Sequence, residues 1–186
     1  FARLAVFNAV FGASGNADVL NAVFNIPQNL RKLLAEGALS SAFIPILSQR
    51  VGQGRDDDAR RIVRSLLGFQ YAVLIPILIA AIFLARPITG FILDFPEPAR
   101  QELAADLFQW LIHYTLLISV AAVLMGALNS RRRFGVPATT PIIFSVVVIV
   151  AIIGLSRWIG LYAMVVGVLV GGLAQVLIQV PSFLRS

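Results

Sequence analysis

Cysteine is absent from all 186 residues, and histidine occurs once, at His113. The first absence excludes disulfides, thiol catalysis and thiolate metal sites. A zinc site would have to gather Asp and Glu around one imidazole, and no HExxH-type spacing exists. Neither GxGxxG nor GxxxxGK[ST] occurs, so no phosphate-cradling loop and no cofactor are expected. Charge is scarce too. Asp, Glu, Lys and Arg make up 13% of the chain, against about 25% in soluble domains.

What fills the space is apolar. Hydrophobic residues reach 59% and the mean hydropathy is +0.88. Four windows contain no Asp, Glu, Lys or Arg: 65–85, 107–130, 134–156 and 158–184. Each meets the roughly 20 residues needed to cross a hydrocarbon core of about 30 Å. None alternates with the period of a membrane β-barrel. The fold class expected is all-α, a polytopic transmembrane helix bundle. The formal charge of +6 then reflects membrane topology and not a nucleic-acid partner.

Six helices are expected. The chain opens with Phe1, and its first apolar run, 4–17, is too short to span. It reads as the second half of a truncated helix in a fragment of a longer protein. Gly12, Ser14, Gly15 and Asn16 make a turn, and Asp18 is placed to cap the second helix. That helix covers 17–49 and has bend points at Pro27, Gly37 and Pro45. The others cover 62–84, 102–129, 138–158 and 159–180, with Arg86-Pro87 ending the third and Pro181 the last. Arginines 50, 55, 60, 61 and 64, then 131–133, then 185, fall on one side of six crossings. The acidic connection LDFPEPARQELAAD falls on the other. Positive-inside logic makes the basic side cytoplasmic. Trp158 and Tyr162 are interfacial aromatics.

Ionisable residues within membrane segments face a protein interior, an aqueous cavity or the headgroups. The stretch IPQNLRKLLAEGALSSAFIP carries Arg31, Lys32 and Glu36. One reading is a site for a phosphate or pyrophosphate, gripped by Arg31 and Lys32 and tuned by Glu36. The other is a juxtamembrane cluster snorkelling to headgroups. Arg3 is a cavity cation, a partner in an interhelical salt bridge or a helix-end anchor. Asn8, Asn21, Asn25, Gln28 and Asn29 put any polar path on the first two helices, and lipid-facing surface on the later four. Asp56-Asp57-Asp58 would suit a prenyltransferase metal site, but no second Asp cluster follows, so a solvated loop capping the third helix is expected. His113 reads as a packing residue. Gly167, Gly171 and Gly172 read as close helix contacts.

IPQNLRKLLAEGALSSAFIPILSQ resembles the signature of the MurJ/MviN lipid II flippase family, within the multidrug/oligosaccharidyl-lipid/polysaccharide (MOP) exporter superfamily. GALNSRRRFGVPATTP, the opening FARLAVFNAVFGASGNAD and the tail GGLAQVLIQVPSFLR agree with that family, so the resemblance spans the chain. Two departures are Asn25, where some members have lysine, and the permuted Gln28-Asn29-Leu30. The resemblance implies that residues 1–186 are the N-terminal six-helix lobe of a two-lobe transporter. It implies a cationic cavity open alternately to each side of the bacterial cytoplasmic (inner) membrane. Arg3, Asp18, Arg31, Lys32 and Glu36 carry over as substrate-binding candidates. The implied partners are a lipid-linked diphosphate oligosaccharide, membrane lipids and the C-terminal lobe of the same chain. A MOP-type exporter of other lipid-linked units or drugs is the alternative. A drug exporter for cations would need an acidic cavity, and here cations outnumber acids. A membrane enzyme acting on prenyl diphosphates is the second alternative.

Overall fold

The computed structural model describes residues 2–12, 15–31, 39–93 and 95–184; at 2–4, 30–31 and 39–42 it describes the backbone alone. Among the described residues the regular structure is all helix, joined by short turns, with no strand. In chain order the helices are α1 (Ala2–Phe11), α2 (Gly15–Arg31), α3 (Leu39–Gly52), α4 (Asp56–Phe83), α5 (Ala85–Leu93), α6 (Pro98–Leu111), α7 (His113–Ser130), α8 (Gly135–Ile159) and α9 (Tyr162–Leu184). Among the described residues, four runs are long and apolar enough to cross a membrane: α4, α6 with α7 (33 residues together), α8 and α9. They coincide with the four charge-free windows, because nothing in those windows needs water.

Among the described residues the helices depart from the expected six at two places, the middle of the fourth and the end of the third. The expected helix over 17–49 is represented by α2 and α3, and residues 32–38 between them lie outside the described residues. The fourth expected helix divides into α6 and α7 at Ile112, whose carbonyl accepts a tighter, i to i+3 bond from the Thr115 N–H. The third ends at Leu84, ahead of Arg86-Pro87. Pro87 instead sits in the first turn of α5, where its missing N–H would have no helical partner in any case. Pro181 likewise fails to close the last helix, which runs on to Leu184.

α7 is the centre of the bundle. α9, α3, α4 and α2 pack on it, and α8 and α9 form the most extensive pair. Of the most apolar window in α6–α7, 72% is buried, against 17% in α4 and 22% in α8. The outer helices therefore turn Phe69, Ile75, Ile77, Ile79, Ile142, Val146, Val150 and Ile153 outward. In water such an apolar surface would be a liability. In lipid it is solvated, and attraction between helices comes from close packing.

Glycines make that packing possible in α9. A Cβ on Gly167 would lie 2.9 Å from the Cβ of Ala151 and 3.1 Å from the Val148 Cα. At Gly171 it would meet the Phe144 ring at 2.9 Å, and at Gly172 the Tyr114 ring at 2.9 Å. The Tyr114 and Phe144 rings stack with centroids 5.4 Å apart, so the two glycines admit one aromatic pair joining α7, α8 and α9.

Candidate functional site

α2 is amphipathic, and its two faces set out the candidate polar path. Val19, Leu20, Val23 and Phe24 are buried, against α6, α7 and α5. Asp18, Asn25 and Asn29 are exposed, while Asn21 and Gln28 are half-buried. Positions 18, 25 and 29 recur at helical spacing, so the exposed polar groups form one stripe. α1 packs on α8, inserting Phe7 into the core and leaving Asn8 exposed. Asn8, Asp18, Asn25 and Asn29 thus lie on exposed faces of the first two helices.

The five candidate residues fall unevenly on this frame. Asp18 lies within the first turn of α2, not ahead of it as a cap would, and its charge faces the positive end of the helix. Arg31 is the last residue of α2, and Arg3 belongs to the backbone of α1. Lys32 and Glu36 lie outside the described residues, as do the side chains of Arg3 and Arg31. The distances that would join these groups into one anion site are therefore not part of the described structure.

The arginine-rich junctions meet at one end of the bundle. Arg131 Nη2 stands 3.8 Å from Asp56 Oδ1, linking the α7–α8 turn to the start of α4. Its guanidinium lies 5.5 Å from the centroid of the Phe183 ring, which brings in the end of α9. Burial holds Arg131 below the usual guanidinium value; Asp56 opposes that, and Arg60 and Arg133 add to it. Asp56, Asp57 and Asp58 occupy the first turn of α4 and not a loop before it. They complement the helix dipole, and Asp58 pairs with Arg55.

Two turns at this end share one hydrogen-bond pattern. After α3, the Arg55 N–H donates to Arg50 O and the Gly54 N–H to Val51 O. After α7, the Arg133 N–H donates to Leu128 O and the Arg132 N–H to Asn129 O. Both are Schellman ends, which need a left-handed residue at the first position past the cap. Gly54 supplies it at φ 71°, and Arg132 supplies it at φ 58°. At the opposite end the Arg100 guanidinium packs against Gly15 and pairs with Glu97. His113, midway along the α6–α7 run, is exposed and not packed; its Nδ1 lies 3.2 Å from the Trp110 carbonyl. Trp158 is exposed and Tyr162 half-buried.

Sequence reasoning missed a buried polar set in the later helices. Gln70, Thr115, Thr140, Gln175 and Gln179 are buried. Gln175 donates to Thr140 O and Gln179 to Gln175 O. Both amide atoms of Gln70 lack a partner among the described residues. The i,i+4 spacing of Gln175 and Gln179 in a charge-free window was the available signal.

The family model described as lipid II flippase MurJ matches residues 7–186. The probable lipid II flippase MurJ of Borreliella burgdorferi is 35% identical over 184 residues, covering 99% of this chain and 36% of that protein. The lipid II flippase MurJ of Burkholderia cenocepacia is 32% identical, covering 97% of this chain and 36% of its own length. A solved structure of lipid II flippase MurJ in an inward closed conformation superposes with a TM-score of 0.83 at 25% identity, over 99% of this chain and 39% of that one. The chain thus spans about a third of the length of the relatives it matches. The helical architecture, the membrane-crossing runs and the match across nearly every residue converge, and the chain belongs to the lipid II flippase MurJ family.

Proposed function

We propose that this chain is the N-terminal transmembrane lobe of a flippase. Its cargo is lipid II, the undecaprenyl-diphosphate-linked precursor of peptidoglycan, moved from the cytoplasmic to the outer leaflet of the bacterial inner membrane. Family membership carries the reading. The exposed polar stripe of α2, on an otherwise apolar bundle, supports a cavity shared with a C-terminal lobe. Arg3, Asp18, Arg31, Lys32 and Glu36 are the proposed substrate-binding residues. Arg31 and Lys32 grip the diphosphate, and Glu36 tunes their release. The end carrying Arg55 and Arg131–Arg133 faces the cytoplasm.

The energetics follow from charge. A diphosphate carries about two negative charges, so outward movement across 100 mV gains on the order of 4–5 kcal/mol. A cationic site that neutralises the cargo shifts that gain to the return step, when the empty positive site is drawn inward. Either way the potential drives the cycle without ATP hydrolysis. The test is to dissipate the potential alone in cells with maintained precursor supply and to follow lipid II reaching the outer leaflet. Export should slow severely or stop; unchanged export would sink the mechanism.

A further inference from the structure

A basic groove lies between α4 and α9. Arg60 and Arg64 stand one turn apart on α4, and with Val63, Leu67, Phe183 and Leu184 they line a groove of about 300 Å³ between the start of α4 and the end of α9. Its walls are apolar and its mouth is basic. Arg64 is the last charged residue before the charge-free run 65–85, which places the groove where headgroups give way to acyl chains. One wall is held in place: the Phe183 ring lies under the guanidinium of Arg131, whose side chain is 7% exposed. In the junctions at this end, Arg50, Arg55, Arg60, Arg61, Arg64 and Arg131–Arg133 outnumber Asp56, Asp57 and Asp58. A basic pocket between helices at the membrane surface has the chemistry of an anionic-lipid site.

We propose that this groove binds the phosphate of an anionic phospholipid from the leaflet on the basic side, with Arg60 and Arg64 on the phosphate and an acyl chain along Leu67, Phe183 and Leu184. Such a lipid would clamp α4 to α9 at the end opposite Asp18. The site is separate from the proposed cargo path. It does not depend on which side is cytoplasmic, because a symmetric bilayer offers the lipid on both.

The test uses the whole protein in nanodiscs of phosphatidylethanolamine with increasing phosphatidylglycerol. Lipid retained on the protein is counted by native mass spectrometry. Arg60→Gln with Arg64→Gln should weaken phosphatidylglycerol binding about tenfold or more, as loss of two charge-assisted contacts implies. Arg61→Gln with Arg133→Gln removes the same charge from the same end, outside the groove, and should change binding by less than about twofold, as exposed charges do. Inorganic phosphate at millimolar concentration should not displace the lipid. Equal losses in both double variants would mean diffuse surface attraction and overturn the site. So would unchanged binding in the first variant. Displacement by inorganic phosphate would make the groove a free-anion site and overturn the lipid assignment. A melting temperature matched to wild type shows that each variant is folded.

Discussion

Gly167→Ala in α9 and Gly154→Ala in α8 make the same chemical change in two surroundings. Both glycines are helical, so both substitutions gain the same intrinsic preference, about 0.8–1 kcal/mol in water. At Gly154 an added Cβ meets nothing within 4 Å, whereas at Gly167 it meets Ala151 Cβ at 2.9 Å, Val148 Cα at 3.1 Å and Val148 O at 3.3 Å. Two of those three atoms are backbone, so relief requires α8 and α9 to separate. Overpacking of this kind costs about 1–3 kcal/mol. Gly154→Ala should therefore be neutral or stabilising, and Gly167→Ala should be less stable than Gly154→Ala by about 1–3 kcal/mol. Reversible unfolding of the whole protein in mixed detergent micelles measures the difference. Equal stabilities would refute the account of α8–α9 packing, because the propensity term cancels.

Arg132→Gly should stabilise the turn after α7 by about 1 kcal/mol, since Arg132 holds the left-handed position of a Schellman end that favours glycine; unfolding of the same preparation checks it, and destabilisation would count against that geometry. For topology, cysteines placed at Arg55 and Arg132 should resist a membrane-impermeant reagent in intact cells, while one at Glu97 should react. Labelling at position 132 from outside would invert the assignment.

The spanning helices were legible because hydrocarbon imposes a coarse rule, about 20 residues without charge. α9 obeys it outright, and α4 and α8 obey it once their charged ends are set aside. The connection before α6 was not legible. Arg86-Pro87 reads as a stop, yet proline is tolerated in a first turn, and α5 forms around it. Pro181 misleads in the same way near the end of α9. At the candidate site, the sequence marked Asn25 and Asn29 as polar residues of α2 but read Asp18 as a cap, and their alignment in one exposed stripe came from the structure. Gln70, Gln175 and Gln179 were not found, because a neutral amide does not interrupt a charge-free window although its burial is costly. The common end of the arginine-rich junctions followed from counting crossings. The stacking of Arg131 on Phe183 did not, since the two residues are distant in sequence and meet only through packing.

The most direct test of the central claim is lipid II reaching the outer leaflet, measured by externally added lipid II-cleaving enzyme in cells depleted of their own flippase. The whole protein should restore cleavage. Arg31→Ala, at wild-type abundance, should not, because loss of one charge-assisted phosphate contact is worth roughly 1.5–3 kcal/mol, or about 10- to 150-fold in affinity. Arg31→Lys should rescue partly, keeping the charge and losing the planar fork. Full restoration by Arg31→Ala would place this arginine at the headgroups and contradict a cationic cargo site at the end of α2.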